Sequence, residues 1–131
     1  MTITERVLKE TGYEHINDDL CRSFQVHLEV IGRKWNSGIM LAAVRGATRF
    51  SEYRGMIDGI SDRLLAQRLK ELESEGFIER TVTPTTPVSI SYAPTRRGRE
   101  LIAAAQPLTT WAHEDERRHH ASNQHLRAVS D

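Results

Sequence analysis

A chain of 131 residues, 38% hydrophobic and 27% charged, has the length and composition of one ordinary globular domain with a small core. No apolar run approaches the ~20 residues that cross a bilayer, and the first ten residues lack the apolar core of a signal peptide, so we expect a cytoplasmic protein without a membrane partner. A single cysteine, Cys21, excludes a disulfide within the chain and a multi-cysteine zinc site. The formal net charge of zero argues weakly against nucleic acid, although a basic face can coexist with an acidic remainder.

The N-terminal third predicts an arm followed by one helix. We expect residues 1–20 to form an N-terminal arm that holds a short helix over residues 4–10. From residue 22 to residue 31 the apolar side chains, Phe24 among them, recur at helical spacing, which predicts a first core helix. Gly32 ends that helix.

Two further helices precede the centre of the chain. Residues 36–45 carry apolar side chains at helical spacing, and Gly46 closes the helix that they predict. A short helix is expected over residues 51–57, before Asp58 and Gly59 break it.

Residues 61–76 are the segment around which the rest is arranged. Ser61 is a good helix N-cap, and Gly76 tolerates the left-handed conformation that ends a helix. Between them the apolar residues share one face and the polar residues the other: Leu65, Leu69 and Leu72 against Arg63, Gln67, Lys70 and Ser74. Two short helices joined by a tight turn, the second of them amphipathic, are typical of a helix-turn-helix.

After Gly76 the apolar period changes from that of a helix to that of a strand. Residues 77–82 and 88–92 flank a loop of about five residues, which predicts a β-hairpin. A hairpin directly after a helix-turn-helix is the wing of a winged-helix domain, so the predicted fold class is mainly α with a small β-hairpin (α+β). The wing tip carries Thr83, Thr85 and Thr86 and no charge.

Thr95 can cap a last helix that has a long apolar stripe. The stripe consists of Leu101, Ala105, Leu108 and Trp111, and Pro107 inside the helix is expected to bend it. This stripe is too long for a core of this size, so we expect it to form a homodimer interface with the first helix of a second chain, including Phe24. The winged-helix domain then covers residues 21–120, and residues 121–131 form a flexible tail.

The order of these elements and the residues within them together resemble the HxlR-type family of bacterial winged-helix transcription regulators. The matching segments run from residue 21 to about residue 112: Cys21, Ile31-Gly32-Arg33-Lys34-Trp35, Arg49-Phe50-Ser51-Glu52-Tyr53-Arg54, Gly59-Ile60-Ser61, residues 68–76 (RLKELESEG) and residues 92–98. The resemblance implies a homodimer formed through the terminal helices, with the 61–76 helix in the major groove of double-stranded operator DNA and the wing near the backbone. Two residues depart from the family pattern: Arg22, where the family often has proline, and Ser89, where it often has a basic residue.

The outer face of the 61–76 helix supplies the candidate DNA contacts. Arg63 suits the O6 and N7 of guanine and Gln67 suits the N6 and N7 of adenine, so both are candidate base contacts. The candidate phosphate contacts lie near the ends of the two helices: Arg49, Ser51, Arg54, Ser61 and Lys70. Arg68, on the flank of the leucine face, can instead extend over the core and pair with acids. The alternative for the whole face is an ordinary solvated helix surface.

Cys21 supports two hypotheses. Beside Arg22 and near a helix start its thiolate would be stabilised, and the resemblance adds that cysteines at this position in some relatives sense oxidants or electrophiles. The alternative is a small buried residue at the dimer contact.

The remaining residues with possible functional chemistry are explained more simply by structural roles. The histidines His113, His119, His120 and His125 have no fixed geometry, so we expect no metal site and no cofactor. The three aromatic residues Trp35, Phe50 and Phe77 are most simply core residues. No nucleophile, base and orienting acid converge in the sequence, so an enzyme is the weakest hypothesis, behind a regulator and a protein-binding winged helix. No pattern identifies a small-molecule effector.

Overall fold

A computed structural model describes residues 2, 3, 6 and 9 and the continuous stretch 18–130, with side chains described as far as residue 120. Most of the helix expected over residues 4–10 and most of the expected arm lie outside the described residues. Within the described part, no helix is both long and apolar enough to cross a membrane. Contacts divide the chain into two units, Met1–Ser37 and Gly38–Asp131.

The first unit contains helix α1, Asp18–Gly32, which begins four residues before the predicted start at residue 22. Asp18 and Asp19 lie in its first turn, where carboxylates interact favourably with the positive end of the helix dipole. The prediction of a core helix is wrong for the single chain: Val30 is buried, but Phe24 is 65% and Leu28 40% exposed. Their apolar face is therefore open to solvent in the single chain.

The connection after α1 depends on Asn36. Its side chain is only 1% exposed, and its Nδ2 donates a hydrogen bond of 2.8 Å to the carbonyl of Val30. Trp35, just before it, has a φ of 79°, the left-handed region that a non-glycine residue rarely adopts. Trp35 is half-buried and not a core residue. A buried side-chain contact thus holds the turn that directly follows α1.

The remaining elements agree closely with the predicted order. They are α2 (Asn36–Val44), α3 (Phe50–Met56), α4 (Asp62–Ser74), β1 (Ile78–Thr83), β2 (Ser89–Pro94) and α5 (Arg96–Ser130). In the second unit the fully buried large side chains are mostly aliphatic or aromatic: Ile39, Tyr53, Leu65, Leu69, Leu72, Phe77 and Ile78. Phe77 is the core residue that was predicted, whereas Phe50 is half-buried.

The predicted β-hairpin forms, with a loop of the predicted length. The strands β1 and β2 pair antiparallel from Ile78 opposite Pro94 to Thr83 opposite Ser89, which leaves a connecting loop of five residues, 84–88. The backbone N–H of Tyr92 donates to the carbonyl of Thr48 at 2.7 Å. This bond attaches the wing to the segment that leads into α3.

A dense set of bonds joins the end of α4 to the start of α5. Gly76 adopts a φ of +82°, as expected for a helix stop, and its carbonyl accepts from the Thr95 hydroxyl at 2.7 Å. The Thr95 hydroxyl in turn accepts from the N–H of Gly98 at 3.0 Å, which confirms Thr95 as the cap of α5. A Cβ built on Gly98 would lie 2.2 Å from the carbonyl oxygen of Phe77, so only glycine permits this close approach.

Helix α5 contains Pro107, as predicted, and its backbone is helical as far as Ser130. The flexible tail expected over residues 121–131 stays a prediction.

Candidate nucleic-acid interface

Helix α4 presents one polar face because its other face is completely buried. The Ser61 hydroxyl accepts from the N–H of Leu64 at 3.2 Å, which is the predicted N-cap. Leu65, Leu69 and Leu72 are each 0% exposed, so the helix cannot rotate without opening the core. Its opposite face, with the candidate DNA contacts, is therefore held outward.

The exposed face of α4 contains the residues predicted to read DNA. These are Arg63, Gln67 and Lys70, all exposed, together with the exposed cap Ser61. The Gln67 amide donates to Glu71 at 3.2 Å, so it must exchange this partner to reach a base edge. Of the two roles that the sequence left open for Arg68, the structure shows pairing with an acid: its side chain is 17% exposed, and its Nη1 lies 2.9 Å from a Glu71 carboxylate oxygen.

Helix α3 is anchored to the wing by Tyr53. The Tyr53 side chain is fully buried, and its hydroxyl donates to the carbonyl of Tyr92 at 3.0 Å. The two rings meet edge to face with centroids 6.2 Å apart. Burial, with smaller effects of Glu52 and Tyr92, raises the pKa of Tyr53 to about 12. This anchor fixes α3, and with it Ser51 and Arg54, relative to the hairpin.

The start of α3 is organised by Glu52. One Glu52 carboxylate oxygen accepts from the backbone N–H of Arg49 at 3.0 Å and from the Thr48 hydroxyl at 2.9 Å. These bonds, the backbone one first, hold the pKa of Glu52 below its usual range. The exposed residues Arg49 and Ser51 thus belong to a capped helix start.

The turn between α3 and α4 brings together Arg54 and Asp62, an ion pair that the sequence did not predict. Arg54 Nη1 lies 3.1 Å from Asp62 Oδ2, across the turn that contains Gly59 with a φ of 86°. The predicted phosphate contact Arg54 is therefore paired with an acid in the DNA-free chain. An acid in the first turn of α4 is visible in the sequence, but which cation it pairs with depends on the geometry of the turn.

The wing tip is uncharged, as the sequence requires, and partly apolar. Thr83, Thr85 and Thr86 are exposed, and the Thr85 hydroxyl donates to the carbonyl of Pro87 at 2.8 Å. Large apolar side chains are also exposed along the hairpin: Val82, Val88 and Ile90. The hairpin therefore offers hydroxyl and apolar contacts.

Cys21 lies in α1, with its free thiol exposed. Its neighbour Arg22 pairs with the Asp19 carboxylate. The guanidinium that was expected to stabilise a Cys21 thiolate is thus already engaged by an acid.

Elsewhere, the part of the chain that the structure describes contains no group of histidine, cysteine and acidic side chains arranged to hold a metal. His119 Nε2 lies 3.4 Å from Asp115 Oδ1, one helical turn away on α5.

The predicted dimer residues retain apolar surface in the single chain. Leu108 is 51% and Trp111 56% exposed on α5, and Phe24 on α1 is more exposed still. Leu101 and Ala105, nearer the start of α5, are half-buried.

Comparison with known proteins gives the same architecture. The profile of the HxlR-like helix-turn-helix family matches residues 30–120. The Bacillus subtilis (strain 168) regulator YvaP is 35% identical over 96 residues, which are 73% of this chain and 89% of YvaP. YodB from the same organism, named as an HTH-type transcriptional regulator, is 36% identical over 97 residues, 74% of this chain and 87% of YodB.

Solved structures extend the comparison to three dimensions. Diamide-treated YodB superposes with a TM-score of 0.62 at 35% identity, covering 77% of this chain and 96% of that chain, and the reduced form of YodB also gives 0.62. A regulator of the MarR family from Enterococcus faecalis V583 gives a TM-score of 0.71 at 28% identity, over 80% of this chain and 96% of that one. The fold is thus the winged helix of these regulators, and the chain belongs to the HxlR-like helix-turn-helix family.

Proposed function

We propose that the chain is a sequence-specific DNA-binding transcription regulator that acts as a homodimer. Helix α4 carries this proposal: its three leucines are fully buried while Arg63, Gln67 and Lys70 face solvent. A capped helix of this kind can enter the major groove of B-DNA with its outer side chains against the base edges. The names of the relatives as transcriptional regulators support the same function.

The exposed side chains divide into two roles. Arg63, in the first turn of α4, and Gln67, one turn later, contact base edges, because recognition helices reach the bases with their N-terminal residues. The phosphate contacts hold the protein in register: Arg49, Ser51, Arg54, Ser61 and Lys70. The wing follows the DNA backbone through the hydroxyls of Thr83, Thr85 and Thr86.

Selection of duplexes from a random pool tests sequence-specific binding. On the selected operator, Arg63→Ala should cost about 1–3 kcal/mol and relax preference at one position, whereas Arg54→Ala should weaken all sequences alike. Arg117→Ala, the same substitution on the exposed surface of α5, should leave binding unchanged. Equal and sequence-independent losses from Arg63→Ala and Arg54→Ala would show that Arg63 contacts only phosphates.

A protein-binding winged helix is the second candidate. The zero net charge, the uncharged wing tip and the exposed apolar side chains of the hairpin, Val82, Val88 and Ile90, favour it. Salt separates the two functions, because a protein that contacts six or more phosphates loses about a thousandfold or more in affinity between 50 and 200 mM salt. Binding to duplex DNA that is weak at low salt and insensitive to added salt would favour a protein partner.

Exposed apolar residues on two helices support the homodimer. Phe24 on α1 and Leu108 and Trp111 on α5 are each more than half exposed, and a partner chain that covers them would remove this apolar surface from water. Leu101 and Ala105 continue the stripe on α5. A dimer also suits the proposed function, because two recognition helices can then contact two half-sites of an operator.

Cys21 is the redox-responsive residue of this proposal. Its exposed thiol can react without unfolding of the chain, and with one thiol per chain oxidation ends as a sulfenic acid, a mixed disulfide or a bridge between subunits. The relative YodB, solved both reduced and after diamide, supports a thiol chemistry of this kind.

Operator binding before and after oxidation tests the role of Cys21. Diamide or peroxide should change operator affinity by at least ~1 kcal/mol in the natural protein and leave Cys21→Ser unaffected. If complete modification of the thiol leaves operator affinity unchanged, Cys21 has a structural role instead. The proposal assigns no catalytic residue and no cofactor, and it locates the regulator with the DNA, in the cytoplasm.

A further inference from the structure

An exposed ion pair joins the two helices of the helix-turn-helix. Arg54 Nη1, in the last turn of α3, lies 3.2 Å from Oδ1 and 3.1 Å from Oδ2 of Asp62, in the first turn of α4. The side chains are 51% and 62% exposed, so both remain accessible to a ligand. A carboxylate thus already occupies the guanidinium that the proposed function assigns to a DNA phosphate.

We propose that Asp62 is an intramolecular phosphate mimic, which holds Arg54 in the DNA-free protein and must be displaced before Arg54 contacts DNA. The inference rests on the proposed function, because it requires the outer face of α3 and α4 to meet DNA. Carboxylate and phosphate oxygens accept the same charge-assisted hydrogen bonds from a guanidinium, so the two compete for one donor group. Asp62 therefore lowers the affinity for DNA of every sequence.

The exchange has a defined effect on the salt dependence of binding. Counterions leave the DNA as net positive charge approaches the phosphates, and Arg54 together with Asp62 carries no net charge while Asp62 stays beside it. The net release from this contact is therefore small. In a variant without the charge of Asp62, the contact between Arg54 and a phosphate releases its full share of counterions. This share makes the slope of log K against log salt steeper by about 0.9.

A purely structural role of the pair predicts a different result. Exposed ion pairs contribute little to folding, although a carboxylate in the first turn of α4 also interacts favourably with the helix dipole. Loss of the Asp62 charge would then lower the melting temperature slightly and leave the salt slope of DNA binding unchanged. The salt slope thus distinguishes competition for Arg54 from stabilisation of the fold.

The experiment compares the full-length natural protein with Asp62→Asn and the control Asp58→Asn. Asp58 is exposed in the turn between α3 and α4, and its substitution removes the same charge four residues away. On a duplex of mixed sequence, Asp62→Asn should bind about fivefold tighter at low salt and show a slope steeper by about 0.9. Asp58→Asn should change both quantities much less.

The same substitution in an Arg54→Ala background completes the test. Without Arg54 there is no guanidinium for Asp62 to hold away from the DNA. Asp62→Asn should then affect binding no more than Asp58→Asn does. Thermal melting checks the fold of each variant, and Asp62→Gln, with the same loss of charge, replaces Asp62→Asn if the latter melts early.

The outcomes separate the inference from the proposed function. If the natural protein binds no duplex at low salt, the proposed function fails. If it binds, but Asp62→Asn matches Asp58→Asn or keeps its effect without Arg54, the inference is overturned and the proposed function stands. A loss of operator affinity in Asp62→Asn would also overturn it, because Asp62 would then contact a base.

Discussion

Tyr53 shows how one residue couples the helix-turn-helix to the wing. Its buried hydroxyl is the donor to the Tyr92 carbonyl, and its ring packs on the ring of Tyr92. Tyr53→Phe keeps the ring and removes the donor, so the carbonyl loses this partner. We expect a loss of about 1 kcal/mol in the free energy of unfolding, measured by urea denaturation at neutral pH.

The raised pKa of Tyr53 adds a test at high pH. The phenol ionises near pH 10 in the unfolded chain and near 12 in the folded chain, so its contribution is complete below pH 10 and is lost as the pH rises towards 12. The natural protein should lose stability through this range, and Tyr53→Phe should lose less. Tyr92→Phe, which keeps the Tyr53 phenol, is the matched control. The same alkaline decline in Tyr53→Phe as in the natural protein would contradict the assignment.

Among elements, the start of α5 depends on a contact that only glycine allows. Because a Cβ at Gly98 would lie 2.2 Å from the Phe77 carbonyl oxygen, Gly98→Ala must move the start of α5 away from the segment between α4 and β1. We expect a loss of roughly 1–3 kcal/mol in the free energy of unfolding, the usual cost of overpacking. Urea denaturation at neutral pH measures it.

The chain contains a matched control for that substitution. Gly55 lies inside α3, and a Cβ there would meet no atom within 4 Å, so Gly55→Ala should be neutral or stabilising by up to about 1 kcal/mol through helix propensity. Similar losses from the two substitutions would show that the close contact at Gly98 does not limit stability.

The elements that the sequence predicted best are those with local boundary signals. Helix α4 has Ser61 at one end, Gly76 at the other and leucines at helical spacing between them, and its observed bounds follow these signals. The start of α1 was missed because Asp18 and Asp19 suit a turn as well as the first turn of a helix. Local chemistry alone does not choose between those two structures.

Contacts between elements were predicted less well. Arg54 and Asp62 are eight residues apart on different helices, and their approach depends on the turn geometry around Gly59. Periodicity likewise identified the apolar residues Phe24 and Leu28 but not what covers them, since they are exposed in the single chain. The spacing of apolar residues shows which side of a helix is apolar. Whether that side is buried depends also on another element or chain that packs against it.

At the scale of the whole molecule, the exposed apolar side chains on α1 and α5 become buried only if the chain forms a dimer. Light scattering at micromolar concentration should report a mass near twice 14.9 kDa, because a homodimer would cover the exposed side chains of Trp111 and Leu108. Trp111→Glu places a charge in the proposed interface and should yield a monomer. Thr110→Glu, which adds the same charge one residue away and off the stripe, should leave the dimer intact.

Operator binding should follow the state of assembly. A dimer contacts two half-sites about 34 Å apart with one binding event, so a monomeric Trp111→Glu should lose most of its operator affinity although Arg63 and Gln67 are unchanged. Thr110→Glu should bind the operator as the natural protein does. A natural protein that is monomeric at micromolar concentration, or a monomeric variant with full operator affinity, would show that each chain reads DNA alone and that the stripe on α5 serves another contact.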